Sequence, residues 1–276
     1  MPELPEVETV KRVLEPQLSG RVITKVVCPR PEIIAHPHAE VFFKKVTGAK
    51  ITGMGRRGKF ILINLEQGAT IIVHLRMTGQ LVVTPATQVE RKHTHIVFQL
   101  DNQEELRFID LRRFGRLWLQ EAGEEDNFSG ISKLGPEPFA KQCNAAYLAQ
   151  SMGHRQKAIK ECLLDQSIIA GIGNIYADEI LFAAQICPTT PAASLTKKDW
   201  QNLARIIPKI LKIGIEADYM TKEEYLAAEG KWQHKMPVLK AYGHEHDPCP
   251  RCQTPLVRVV IAGRSSCYCP QCQRQK

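Results

Sequence analysis

The chain lacks any apolar run near the ~20 residues that a membrane-spanning helix needs; its longer candidates, such as Ile71-Ile72-Val73, are strand-sized. Met1-Pro2-Glu3-Leu4-Pro5-Glu6 has neither the basic nor the apolar stretch of a secretory signal. The expected compartment is therefore the cytoplasm, with no membrane partner. Internal repeats and low-complexity tracts are absent. The cysteines are not spread as in a secreted disulfide scaffold. Of nine, Cys28, Cys143, Cys162 and Cys187 are scattered, while Cys249, Cys252, Cys267, Cys269 and Cys272 crowd the C-terminal end. That pattern suits a reducing compartment and a metal site.

What is present fits a globular chain of one large domain or two. The 276 residues are 43% hydrophobic and 24% charged, which excludes disordered and fibrous classes for the bulk of the chain. Lysine plus arginine (37) exceed aspartate plus glutamate (29) by 8, a mild preference for a polyanionic partner.

Residues 3–18 read as a helix, with Val7, Val10 and Leu14 on one face and Pro5 in the first turn. From about 20 to 120 the period shortens. Runs at Val22–Val27, Phe60–Leu65, Thr70–Leu75, Gln80–Val83, His95–Leu100, Leu106–Ile109 and Arg116–Leu119 predict an antiparallel sandwich or barrel. Residues 121–138 are acidic and turn-rich, as an interdomain linker is. Helical patterns follow from 144 to about 228, with Ala158, Ile159, Cys162 and Leu163 on one apolar face and Ile206, Ile207, Ile210 and Leu211 on another. Pro208 is expected near a helix start or at a kink.

Cys249-x-x-Cys252 and Cys269-x-x-Cys272, sixteen residues apart, match four-cysteine zinc spacing. A closed thiolate set leaves no open position, so one structural zinc ion is expected, folding a module too small to fold alone. Cys267 would share a strand face with Cys269 and is the competing ligand; Cys269 keeps the second Cys-x-x-Cys whole. Between the pairs, Arg264 follows a glycine turn. It is placed either to enter a groove or clamp a phosphate, or simply to sit in solvent.

Gly171-Ile-Gly173-Asn174 opens a helix, with Asn174 expected at the N-cap. Free N–H groups there would suit a phosphate, with Lys157 and Lys160 nearby; a packing role for the glycines is the alternative. At the other end of the chain, Pro2 follows the initiator methionine. Removal of Met1 would leave a secondary amine titrating near about 8, able to attack an acetal carbon and form an iminium. Glu3 and Glu6 lie beside it to move protons. Most Met-Pro starts do no such chemistry.

Read together, the motifs decide the matter. Met1-Pro2-Glu3-Leu4-Pro5-Glu6-Val7-Glu8-Thr9, Arg56-Arg57-Gly58-Lys59-Phe60, His74-Leu75-Arg76-Met77-Thr78-Gly79, Asp110-Leu111-Arg112-Arg113-Phe114-Gly115, Leu134-Gly135-Pro136-Glu137-Pro138, Gly171-Ile172-Gly173-Asn174-Ile175-Tyr176 and the cysteine module occur in this order. The chain resembles the bacterial formamidopyrimidine-DNA glycosylases over essentially its whole length.

The resemblance implies an α+β multidomain fold: an N-terminal helix plus antiparallel β-sandwich, then a helix–two-turn–helix domain with a C-terminal four-cysteine zinc finger. The implied boundaries are 1–125 for the catalytic domain, 126–140 for the linker, 141–240 for the helical domain and 241–276 for the finger. It also implies a bifunctional glycosylase and abasic-site lyase of base excision repair, excising oxidised purines from damaged double-stranded DNA with β,δ-elimination, as a monomer. By similarity Pro2 is the nucleophile, Glu3 the general acid/base, and Lys59 a phosphate contact that assists proton transfer. Met77, Arg112 and Phe114 match the residues that fill the hole left by a flipped nucleotide. Asn174 and Arg264 match phosphate-gripping positions, and His74 and His93 match DNA-facing ones. Outside the resemblance, Met77 and Phe114 read as core residues at strand ends.

One segment departs from the family pattern. Where relatives carry Gly-Gly-Ser/Thr-Thr, which caps the flipped oxidised purine, this chain has Gly214-Ile215-Glu216-Ala217-Asp218-Tyr219-Met220-Thr221. Glu216 and Asp218 are expected to put negative charge where a base and phosphates approach. Trp232-Gln233 and Tyr242-Gly243-His244 replace the family's Phe-Gln and Tyr-Gly-Arg. The alternative reading is a non-catalytic or lyase-only paralogue with altered lesion range.

Overall fold

The computed structural model describes residues 1–230 and 239–275. The replacements at Trp232 and Gln233 lie outside the described residues. Two compact units emerge. The first comprises the described parts of Met1–Pro2, Glu6–Ser132 and Asp218–Gln233; the second comprises those of Glu3–Pro5, Lys133–Ala217 and His234–Lys276.

The first unit is a two-sheet sandwich. Helix α1 covers Leu4–Leu18 and buries Val7, Val10, Leu14 and Leu18, the stripe its period predicts. The strands are β1 (Ile23–Val27), β2 (Ile34–His36), β3 (Ile51–Arg57), β4 (Phe60–Leu65), β5 (Thr70–His74), β6 (Gly79–Pro85), β7 (Thr94–Leu100), β8 (Glu104–Asp110) and β9 (Arg116–Gln120). One sheet runs β1-β7-β8-β6 and the other β2-β9-β5-β4-β3. All pairings are antiparallel except β2 with β9, which is parallel. Ile23, Phe98 and Phe108 from the first sheet share one core with Ile61, Ile63, Val73 and Leu117 from the second. Each such side chain contributes roughly 1.5–3 kcal/mol on burial.

Three elements fall outside the strands read from the period: β2, β3 and the short helix α2 (Ala39–Val46). β2 has only three residues. β3 reads Ile-Thr-Gly-Met-Gly-Arg-Arg, so glycine and charge hide its alternation; its pairing with β4, from Ile51↔Leu65 to Arg57↔Phe60, makes it a strand.

The second unit holds α3 (Ala145–Met152), α4 (Ile159–Leu164), α5 (Asn174–Ala184) and α6 (Lys197–Ala217), and then the hairpin of β10 (Val257–Ile261) and β11 (Arg264–Tyr268). Turns over 165–173 join α4 to α5, the helix–two-turn–helix arrangement. Ile159, Cys162, Leu163, Ile206, Ile207 and Leu211 are all buried in one core. Pro208 lies inside α6 rather than near its start. Its missing N–H deprives the Ala204 carbonyl of a helical donor, and Ala204 is only half-buried, so water can serve that oxygen. No described helix is long and apolar enough to cross a membrane.

Residues 218–230 pack with the sandwich, although the sequence places them in the helical region. Thr221 caps the short helix α7 (Lys222–Ala227) in a capping box with Glu224. Tyr225 is almost fully buried, and its hydroxyl donates to the Leu81 carbonyl at 2.8 Å. Tyr225→Phe should therefore lower unfolding stability by about 1–2 kcal/mol, read from the urea midpoint at unchanged m-value.

Candidate functional site

The two glycines of Gly171-x-Gly173 exist because the chain's N-terminal residues lie against them. Gly171 has φ +94°, and a Cβ there would come within 2.6 Å of Leu4 Cδ1. A Cβ on Gly173 would come within 2.4 Å of Glu3 Cδ. Leu4 N donates to the Gly171 carbonyl at 3.0 Å. The Glu3 carboxylate, 2% exposed, accepts the backbone N–H groups of Gly173 (2.8 Å), Ile175 (2.8 Å) and Tyr176 (3.2 Å). These are orphan donors at the positive end of α5. Charge-assisted bonds of about 1.5–3 kcal/mol each offset the several kcal/mol needed to desolvate the carboxylate.

This changes two expectations about the turn. The N-cap of α5 is Gly173, and Asn174 is the first helical residue. The exposed N–H groups expected for a phosphate are instead engaged by Glu3. Lys160 is likewise unavailable to a phosphate: its side chain is fully buried and its Nζ donates to Asp178 at 2.7 Å. Lys157 remains exposed. Asn174 turns its amide Nδ2 to the Ser265 carbonyl at 3.0 Å, and its Oδ1 is buried with no hydrogen-bond partner among the described residues. Ser265 directly follows Arg264, which opens β11 after a tight turn at Ala262 (φ 46°) and Gly263 (φ 72°) and is exposed. Glu3, Asn174 and the start of β11 are thus one cluster in the second unit. Pro2 precedes Glu3 in the chain and is buried, while Met1 is exposed.

In the first unit, Lys59 occupies the two-residue turn between β3 and β4 and is 6% exposed. Arg56 steadies that turn: its guanidinium donates to the Gly58 carbonyl at 3.2 Å and to Glu8 of α1 at 2.9 Å. Burial raises the Glu8 carboxyl, but hydrogen bonds and charge from Arg56 and Arg12 outweigh it and hold the group below its ordinary range. His74 stands opposite Phe60, the residue after Lys59, with the rings edge to face at 4.6 Å. Its Nδ1 accepts the Arg76 N–H at 3.0 Å, which leaves Nε2–H as the donor of the neutral ring.

Met77 and Phe114 are not core residues. They are 40% and 48% exposed at the tips of two loops, β5–β6 and β8–β9. Asp110, fully buried, holds both loops. Its carboxylate accepts the Thr78 hydroxyl, the Arg112 N–H (3.2 Å) and the Gly115 N–H (2.7 Å). The Arg112 guanidinium lies over the Phe114 ring at 4.7 Å. His93, at φ 69°, accepts the Asp110 N–H on its carbonyl and lines a groove of about 440 Å³ with Met77, Thr78, Arg91 and Lys92. The structure therefore gathers Met77, His93, Arg112 and Phe114 around Asp110. Residue-by-residue reading missed Asp110 and Thr78 as organisers; an Asp at the end of a strand, whose short side chain can accept N–H groups of the turn that follows, was the available signal.

Of the departing segment, Glu216 is exposed, but Asp218 is 4% exposed and its carbonyl accepts the Thr9 hydroxyl. Its carboxylate does not present negative charge to solvent as expected. Met220 packs against the sandwich core, and Tyr219 is exposed, at 57%.

The Sγ atoms of Cys249, Cys252, Cys269 and Cys272 all lie within 4.8 Å of one another, with 3.4 Å between Cys252 and Cys272 and 3.5 Å between Cys252 and Cys269. Zinc–thiolate bonds of ~2.3 Å in a tetrahedron put sulfurs about 3.8 Å apart, so the four are placed to bind one metal ion. Cys267 is outside this group; its N–H donates to Asp178.

Comparison with known proteins follows the same divisions. Residues 1–117 match the formamidopyrimidine-DNA glycosylase N-terminal domain, 134–225 its H2TH domain, and 247–275 the zinc finger found in FPG and IleRS. The formamidopyrimidine-DNA glycosylase of Desulforamulus reducens is 43% identical over 277 residues, spanning 100% of both chains. That of Moorella thermoacetica is 45% identical over 259 residues and 94% of each. A complex between Lactococcus lactis Fpg and abasic-site DNA has a TM-score of 0.90 at 31% identity, covering 99% of this chain and 100% of that one. The same protein with Fapy-dG DNA gives 0.89 at 31%, with the same coverage.

His74 makes the acid behaviour calculable. Burial, then the positive charges of Arg76 and Lys59, push its imidazole down to about 3. The unfolded chain takes up that proton below about 6.5, so folding loses about 1.4 kcal/mol per pH unit between 6.5 and 3. In His74→Asn the slope of stability against pH across that window should be shallower by up to that amount, measured by urea unfolding at stepped pH.

Proposed function

The chain belongs to the formamidopyrimidine-DNA glycosylase family, and on that footing we propose that it excises oxidised purines from duplex DNA and cuts the abasic site that remains, using Pro2 as nucleophile. The observation that carries the reading is Glu3: a buried carboxylate, held by three backbone N–H groups, next in the chain to the proposed reagent.

Loss of Met1 frees the Pro2 nitrogen. Its lone pair attacks C1′ of the everted nucleotide, the glycosidic bond breaks, and the base leaves with the bonding pair and takes up a proton. Glu3 exchanges protons with the sugar as the ring opens to the iminium. Removal of a C2′ proton then expels the 3′ phosphate, and a second elimination expels the 5′ phosphate. Lys59, beside His74, supplies positive charge to a phosphate and assists proton transfer; Nε2–H of His74 is a neutral donor to the same backbone. Met77, Arg112 and Phe114 fill the vacated stack, a use their exposure supports. Asn174 and Arg264 grip phosphates. Cys249, Cys252, Cys269 and Cys272 would hold one zinc ion, whose role there is to fold the finger. Every element of this scheme comes from one chain, which supports a monomer; we place its action on DNA in the bacterial cytoplasm, at the nucleoid when bound. The domain limits 1–125, 126–140, 141–240 and 241–276 remain part of the proposal, except that 218–230 pack with the sandwich and not with the helical domain.

Borohydride reduction on an abasic duplex should link protein to DNA, with peptide mass spectrometry finding the link at the Pro2 nitrogen. Protein that retains Met1 should give none. A link to a lysine, or an active enzyme with Met1 in place, overturns the reading.

The segment 217–221 favours a second, narrower reading of substrate range. The one glycine of the departing segment, Gly214, lies inside α6; 217–221 has none, Met220 packs against the sandwich core and Thr221 sits in a capping box, so this stretch lacks the freedom of a glycine-rich cap. We propose that abasic-site cleavage is full while 8-oxoguanine excision is reduced by about tenfold or more relative to formamidopyrimidine excision, a loss of about 1.4 kcal/mol of transition-state contact. Single-turnover rates on the three duplexes test this; equal rates on both bases exclude it.

A further inference from the structure

Two successive acids of α5, Asp178 and Glu179, are buried and have no part in the chemistry above. Asp178 accepts from Lys160 Nζ at 2.7 Å, from the Ser266 hydroxyl at 2.5 Å and from the Cys267 N–H at 3.0 Å. Lys160 also donates to the Ser265 carbonyl at 2.9 Å, the same oxygen that receives the Asn174 amide. Glu179 accepts the N–H groups of Lys240, Ala241 and Tyr242 at 2.9–3.0 Å. The helix thus grips both the chain entering the finger and the strand that begins at Arg264.

A buried ion pair is a poor way to gain stability, since apolar side chains of the same volume do as well or better. What it gives is direction. Lys160 fixes the Ser265 carbonyl, that carbonyl occupies one hydrogen of the Asn174 amide, and the other hydrogen is left to point elsewhere. Burial pushes the Lys160 ammonium below the ordinary lysine range, while Asp178 and then Glu3 hold its proton on.

We propose that Lys160 and Asp178 are positioning residues for DNA binding, holding the β10–β11 hairpin against the start of α5 so that Asn174 and Arg264 engage the backbone as one unit. The proposal rests on the phosphate-gripping reading of those two residues given above.

The test is a double-mutant cycle on the full-length, zinc-loaded protein, with a duplex carrying an uncleavable tetrahydrofuran abasic analogue. Lys160→Met with Asp178→Leu removes both charges together and leaves neither orphaned. Zinc should stay at one per chain, and Kd should rise about tenfold, one charge-assisted contact. Arg264→Ala should cost about tenfold in the parent but under about twofold in the paired replacement, because the two act through one contact. On a true abasic duplex, half-saturation should move with Kd while the saturated single-turnover rate falls by less than about threefold. Ser266→Ala, which removes one hydrogen bond and no charge, should show the same coupling more weakly and decides the case if the paired replacement does not fold. Additive losses, or an unchanged Kd, overturn the proposal alone. Unchanged binding by Arg264→Ala overturns the gripping reading beneath it, and the proposal with it.

Discussion

One carboxylate organises the second unit. Glu3 is sequestered from water, and the donors at the start of α5 help make that tolerable. Its position then forces the local sequence. A side chain at 173 would strike its carboxyl group and one at 171 would strike Leu4, so both positions are glycine. The turn between α4 and α5 is shaped by what docks on it. Anchoring the residue after Pro2 in this way limits the motion of the proposed nucleophile, which would otherwise sit on a loose chain end; orientation of this kind is a general route by which a barrier is lowered.

Asp110 plays the corresponding part in the sandwich. Loops between strands are mobile unless their backbone donors are satisfied internally. Here one carboxylate satisfies donors from two loops, so Met77 and Phe114 can be exposed and apolar yet fixed. That combination is costly for a surface with no partner and useful for one that inserts between bases. The stacking of Arg112 on Phe114 adds a cation to the same tip.

Much of the site was legible because its chemistry lies in residue types at fixed spacing. The two Cys-x-x-Cys pairs specify a thiolate tetrahedron whatever surrounds them, and the ordered motifs specify a family. What stayed hidden shares one cause, the partner across the fold. Gly171-x-Gly173 looked like an open anion site because the occupant, Glu3, is 168 residues earlier than Gly171. Lys160 looked like a free cation because Asp178 shares no period with it. Asp218 looked like a solvent-facing charge because nothing local reveals its burial.

By itself the sequence determined the element types wherever a hydrophobic period ran undisturbed, as in α1, the β4–β9 strands and α6, together with the four metal-ligand cysteines and the residues proposed here as reagents, Pro2, Glu3 and Lys59. These follow from local rules: side-chain periodicity, the chemistry of an amine or thiolate, the reach of a short turn. Tertiary structure alone decided that β3 pairs despite its glycines, that 218–230 packs on the sandwich through Tyr225, and which charges are exposed and which are neutralised in the interior. Those outcomes depend on desolvation and on donors brought in from distant positions, and no window of sequence contains both partners.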